Sequence, residues 1–247
     1  MAKTSARRDP PADSDLLALL RAIASGDDRD IARRLDASPG LASGSMDTGA
    51  SREDAETYFL DAIRHYVYAG DTALHVAAAA HRPRVAETLV ARGADVRARN
   101  RRGAQPLHYA ADGGPGTDYW DPAAQRAVIS YLVEAGADPN ALDKSGVAPL
   151  HRAVRTRSSE AVGALIDNGA DPLLVNKTGS TPLHLAVQNT GRSDSGSDAA
   201  KDEQGRIITL LLAHGASPND ADRNGKRVAA AASSEWVRAL LGVPRRT

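Results

Sequence analysis

The chain has no cysteine and a single phenylalanine, and aromatic residues make up only 4% of its 247 positions. Without cysteine there can be no disulfide framework, no thiolate metal site and no cysteine nucleophile. Net charge is missing as well, since 31 Lys and Arg balance 31 Asp and Glu. Nothing therefore draws the whole molecule toward nucleic acid or a membrane, and an electrostatic partner must be attracted by a local patch. No run approaches the roughly 18 apolar residues of a membrane span. The opening MAKTSARRDPPADSD carries charges with no apolar segment behind them, so neither a secretory signal nor a transmembrane span is expected and the expected location is the cytoplasm. An Ala-rich composition in which Arg outnumbers Lys suggests a GC-rich, bacterial genome. Few aromatics with abundant Ala and Leu suit helix pairs packed through small side chains better than a sandwich of sheets.

What is present is a recurrence. His75, His108, His151 and His184 sit in ALHVA, PLHYA, PLHRA and PLHLA, and each is followed by a Gly-Ala at Gly93, Gly136, Gly169 and Gly215. Two of the three intervals between these histidines are 33 residues, a period that marks a stacked repeat. Within a copy, Pro106, Pro149 and Pro182 suit the first turn of a helix, where a missing N–H loses no partner. A second amphipathic helix follows and stops at the Gly as a left-handed cap. Turns at Asn100 to Gly103, Asp143 to Gly146, Asn176 to Gly179 and Asp222 to Gly225 each place Gly where a positive φ is expected. A helix pair this short cannot bury its apolar face alone, so its stability must come from its neighbours.

The segments Thr72 to His75, Gln105 to His108, Ala148 to His151 and Thr181 to His184, with their Gly-Ala-Asp or Gly-Ala-Ser sequences, closely resemble the ankyrin repeat. The resemblance implies an all-α ankyrin-repeat solenoid of stacked helix-turn-helix units with β-hairpin finger loops. Fingers and first helices would line a concave face that usually binds another protein. Gln105 and Ala148 replace the family's Thr, so the hydroxyl contact to the His should be missing in two units. The expected organisation is a disordered tail over 1–12, a degenerate capping helix pair over 13–41 and a linker with an extra helix over 42–70. Four repeats follow (71–103, 104–146, 147–179, 180–225), then a capping unit over 226–242 and a tail over 243–247. The extra helix is read from Ala55, Tyr58, Phe59, Ala62, Ile63, Tyr66 and Val67 at helical spacing.

Two copies are longer than the others, by about ten and about thirteen residues, both between the paired helices. The first insertion, Asp112 to Pro122, carries Tyr119 and Trp120, either an exposed anchor for a partner or a pair folded back over the neighbouring helix ends. The second, Asn189 to Gly205, is rich in Ser, Gly and Asp and reads as a flexible loop. Arg97, Arg99, Arg101 and Arg102 occur with no acid between Val96 and Ala111, and Lys144 and Lys177 continue the basic series at later fingers. By the family resemblance Tyr109 and Arg152, each following a repeat His, turn toward the concave surface. The expected function is a non-enzymatic, monomeric protein-interaction scaffold. Its partner, an acidic protein, would meet Arg97, Arg99, Arg101, Arg102, Tyr109, Tyr119, Trp120, Lys144, Arg152 and Lys177. The alternative is a polyanion, nucleic acid or anionic lipid, held by the same basic fingers. No catalytic residue, metal or cofactor is expected. The four repeat histidines occupy a position the family uses structurally, and no dinucleotide fingerprint, phosphate loop or serine elbow is present.

Overall fold

The structure, a computed structural model, describes residues 13–118, 120–188 and 197–244. The chain opens with α1 (Asp13–Ser25), which buries Leu16, Leu19, Leu20 and Ile23 on one stripe, and α2 (Asp28–Ala37), whose N-cap Asp27 accepts from the Asp30 amide. The loop after them is pinned: the Asp13 carboxylate accepts from the amides of Asp47 and Thr48 and from the Thr48 hydroxyl.

Residues 51–67, expected as a helix, form short 3-10 turns around a two-stranded antiparallel hairpin instead. β1 (Phe59–Leu60) pairs with β2 (His65–Tyr66) in the register Phe59 with Tyr66 and Leu60 with His65. The apolar spacing suggests helix, but in this stretch only Leu60 and Val67 are buried, with Tyr58 and Ile63 packed partly against the core. Aromatic side chains favour a pleated strand, and the Phe59 and Tyr66 rings meet at 4.7 Å. The Val67 amide extends the pairing to Tyr58 O and its carbonyl accepts from Ala50 N.

Helix pairs then repeat. α3 (Ala73–Ala79) and α4 (Pro83–Ala91) form the first, and α5 (Pro106–Ala110) and α6 (Pro122–Glu134) the second. α7 (Pro149–Arg155) with α8 (Ser159–Asp167) and α9 (Pro182–Ala186) with α10 (Asp198–Ala213) complete the four, and short helices α11 (Val228–Ala231) and α12 (Glu235–Leu240) end the stack. The second insertion contributes helix rather than loop from Ser197 on. The Ser197 side chain caps α10 by accepting from Ala200 N, and Gln204 Nε2 ties that helix to Ala186 O and Gln188 O. The rest of that insertion, 189–196, lies outside the described residues, as do the expected tail over 1–12 and residues 245–247. Of the tail expected over 243–247, Val243 packs on the core with its amide donating to Arg238 O, and Arg238 Nε donates to Pro244 O, so these two residues close the last helix instead.

One histidine geometry sets the spacing of the units. In each, the ring Nδ1 accepts the backbone N–H three residues earlier, from Thr72, Gln105, Ala148 or Thr181. The proton therefore sits on Nε2, which donates to the next finger at Ala104 O (3.1 Å), Val147 O (3.1 Å), Ser180 O (3.3 Å) and Lys226 O (3.1 Å). A hydroxyl contact to the ring joins in from Thr72 and Thr181; Gln105 and Ala148 supply none, and the backbone bond holds those two units. Successive finger tips also bond one another, Arg101 N to Ala69 O, Lys144 N to Arg102 O and Arg223 N to Thr178 O. Gly179 shows how close they come: it sits at φ +77°, and a Cβ there would lie 2.4 Å from Arg223 N.

The core is a single continuous column from Leu16 to Leu241. Leu74, Leu107 and Leu183 of the inner helices and Leu89, Leu132, Leu165 and Leu211 of the outer ones are fully buried. Leu150, on the inner helix of the third pair, is 1% exposed. Leu150→Ala should destabilise the fold by about 2 to 5 kcal/mol, transfer and cavity terms together. Urea melts would read this directly, and an unchanged midpoint would show that the site collapses freely and contributes little to the column.

Candidate functional site

The expected site residues divide into those that reach a common groove and those that do not. Tyr109 does not reach the surface: it is 2% exposed. Its hydroxyl donates to Asp71 Oδ2 (3.1 Å) and accepts from Asn100 Nδ2, which also donates to Asp71 Oδ1 (2.9 Å). The rings of His65 and His75 meet it edge-on at 4.5 and 5.1 Å. Burial and the adjacent Asp71 carboxylate push its phenol well above the ordinary range. Tyr109 is thus the floor under the concave side and not a contact residue. The sequence position is the one expected to face outward, but the buried Asp71 and Asn100 give its hydroxyl a better partner than water.

Most of the finger cations are committed to carbonyl oxygens. Arg97 Nε donates to Gly136 O (2.7 Å), and one Arg99 nitrogen donates to both Gly103 O and Leu142 O at 2.9 Å. Arg101 donates to Ala50 O (2.6 Å), Lys144 Nζ to Arg101 O (2.8 Å) and Lys177 Nζ to Lys144 O. These side chains stitch one finger to the next while their surfaces stay exposed. Arg102 differs. Its guanidinium stacks 3.9 Å over the Tyr68 ring, and no carboxylate pairs with it among the described residues.

Trp120 is half-buried and folded back over the helix ends. Its Nε1 donates to Gln125 Oε1 (2.8 Å), the same oxygen that accepts from Ser158 Oγ, while Gln125 Nε2 bonds Ala110 O. Tyr119 lies outside the described residues.

The residues that do converge surround a cavity of about 600 Å³ between the second and third units, on the side of the fingers and inner helices. Arg152 forms its base, with its side chain only 17% exposed, bonded to Asp112 Oδ2 (2.9 Å) and paired with Asp143 Oδ2 (3.6 Å). Its guanidinium also lies 5.7 Å from the Tyr109 ring centre. Arg102 and Lys144 come from the fingers, and Arg155 enters one helical turn beyond Arg152. Arg155 is exposed and has no carboxylate partner among the described residues. Burial raises the Asp112 carboxyl above the ordinary carboxylate range, with Arg152 pulling the other way.

Arg155 and Asp143 are not among the site residues suggested by the sequence, and Asp112, which the sequence places with the insertion on the opposite edge, lines the cavity here, although a signal exists. Arg155 and Asp112 both stand four residues after a repeat His, one helical turn beyond Arg152 and Tyr109 respectively. The repeat histidines themselves have no free nitrogen to offer, since each uses Nδ1 within its unit and Nε2 on the next.

The class this geometry defines is a helical-repeat solenoid with interlocked finger turns and a charged groove. Three family models match the chain, described as ankyrin repeats (many copies) over residues 44–110, ankyrin repeats (3 copies) over 122–195 and ankyrin repeat over 178–223. The chain belongs to the ankyrin-repeat family, whose repeats are generally protein–protein interaction modules. The gap between the first two of these matches, 111–121, covers nearly all of the first insertion. No curated protein matches the chain. Among the described residues no helix is long and apolar enough to cross a membrane.

Neutral histidine is a condition of this architecture, because protonation would remove the Nδ1 acceptor. Burial pushes His108 down to about 4, helped by the nearby Arg152 and opposed by the bond to Val147 O. It pushes His65 down to about 4, and it lowers His75, His81 and His151. These folded-state values lie below those of the unfolded chain, so the unfolded chain takes up protons first and stability falls as pH drops through the ordinary histidine range. His108 alone should withdraw about 1.4 kcal/mol between pH 7.5 and 5.5, where ordinary carboxylates remain ionised. Urea midpoints that stay level across that interval would contradict the buried, neutral ladder.

Proposed function

We propose that this chain is a non-enzymatic interaction scaffold that binds an acidic protein segment along its concave side, centred on the groove between the second and third units. The observation that carries this reading is the charge of that groove. Among the described residues Arg102 and Arg155 border it without a carboxylate partner, Lys144 has spent one of its three protons, and the carboxylates of Asp112 and Asp143 are taken up by Arg152. Such a surface steers and registers a negatively charged partner while opposing a positive one. Arg152 is held before any partner arrives, which lowers the ordering cost of association. A polyanion laid along the fingers would need the whole basic row, and Arg97, Arg99, Arg101 and Lys177 already donate to carbonyls. Trp120 would serve as an edge of the scaffold rather than as the anchor.

Affinity capture from native lysate, with wild type compared against an Arg102→Ser/Arg155→Ser double variant and against Arg84→Ser on the outer helix α4, tests the reading. A protein retained by wild type and by Arg84→Ser should be reduced about tenfold or more with the double variant, and nuclease should not change it. Loss of capture on nuclease treatment would favour a polyanion partner, and equal capture by all three proteins would remove the groove from consideration.

A further inference from the structure

The cavity's composition bears on which oxyanion the partner presents, and the inference rests on the protein-binding reading above. We propose that the cavity between the second and third units receives the phosphoryl group of a phosphorylated serine or threonine in the protein partner.

The charges set the first condition. Four cations, Arg102, Lys144, Arg152 and Arg155, face two carboxylates, Asp112 and Asp143, an excess of two positive charges. Both carboxylates are already used: Asp112 Oδ2 and Asp143 Oδ2 engage Arg152, and Asp143 Oδ1 accepts from the amides of Ser145 and Val147. A phosphomonoester brings about 1.5 to 2 negative charges and three strong acceptor oxygens at neutral pH, matching that excess, whereas a carboxylate brings one charge. Donors for three oxygens are at hand in the forks of Arg102 and Arg155, the remaining protons of Lys144 and the Ser145 hydroxyl, which makes no hydrogen bond of its own among the described residues.

Size and polarity set the second condition. At about 600 Å³ the space is large for a single carboxylate and suits a phosphorylated side chain with its adjoining backbone. Val147 is the one apolar side chain of the lining, and no aromatic ring borders the cavity. An apolar anchor would find little to pack against, and a nucleotide base would have no stacking platform.

The full chain, titrated with acetyl-Ala-Ala-phosphoSer-Ala-Ala-amide and with the same peptide carrying Ser or Glu at the centre, tests this. Binding would be followed by the backbone amides of Ser145 and Thr156 and by the arginine Nε–Hε signals. The phosphopeptide should saturate and bind about tenfold or more tightly than either counterpart. Arg102→Ala and Arg155→Ala, with unchanged thermal midpoints, should each weaken it by about fivefold or more, and Arg84→Ala should not. A Glu peptide that equals the phosphopeptide, a titration that never saturates, or an equal loss with Arg84→Ala would each overturn the proposal. Because the peptide comparison uses the wild-type chain, a poorly folded variant does not obscure it. A protein captured through Arg102 and Arg155 while the phosphopeptide fails would sink the phosphoryl assignment and leave the scaffold reading standing. Failure of capture together with phosphopeptide binding would do the reverse.

Discussion

The stack depends on a neutral histidine that faces two ways. Each repeat His accepts a backbone proton inside its own turn and donates one to the finger of the next unit. The bond therefore fixes, at once, how the inner helix begins and how far away its neighbour sits. Buried polar atoms are tolerable only when paired, and this arrangement pairs both ring nitrogens while adding only apolar surface to the column. It also explains where the chain departs from its repeat. The first insertion, which opens at Asp112, falls between α5 and α6, after the histidine of its unit has made both of its bonds. The hairpin at 59–66 lies in the finger of the first unit, which no repeat histidine precedes.

The basic fingers show how a charge count can mislead. A run of arginines without intervening acids looks unsatisfied in the sequence because its partners carry no formal charge. Those partners are backbone carbonyl oxygens of neighbouring turns, loops and helix ends, and Arg97, Arg99, Arg101, Lys144 and Lys177 each take at least one. Hydrogen bonds from a cation to backbone carbonyls are stronger than neutral ones, so the series adds inter-unit cohesion in a fold whose units have no stability of their own. The proposed contact set is therefore the smaller one around the groove, where the nearby carboxylates are held by Arg152.

The repeat was legible because several short signals agreed at one period: Pro at a helix start, Gly at a helix end, and a His between apolar neighbours. Single-copy segments offered no such check. Residues 51–67 satisfied a helical spacing in apolar terms, yet their aromatics found each other across a hairpin, and an isolated stretch has no second copy against which to test the period. Tyr109 was misread for a related reason. Its register after the histidine was right, but register does not reveal that Asp71 and Asn100, 38 and 9 residues away, converge beneath it. The pairing of Arg152 with Asp112 and Asp143 is equally non-local, joining three successive parts of two units.

That non-local convergence gives the groove its stiffness. Asp71 holds the Tyr109 hydroxyl, Tyr109 lies under the Arg152 guanidinium, and Asp112 and Asp143 grip Arg152 from the two sides of the unit boundary. Each link is itself anchored, Asp71 by the Tyr68 amide and Asp143 by the amides of its own turn. A guanidinium fixed in this way would lose little side-chain entropy when an anion approaches, whereas the exposed Arg155 would have to be ordered at that moment. The division of labour suits recognition of a charged group. For the proposed partner, the buried Arg152 would set where the anion sits, and a ligand with several oxygen acceptors could engage Arg102 and Arg155 at the rim as well.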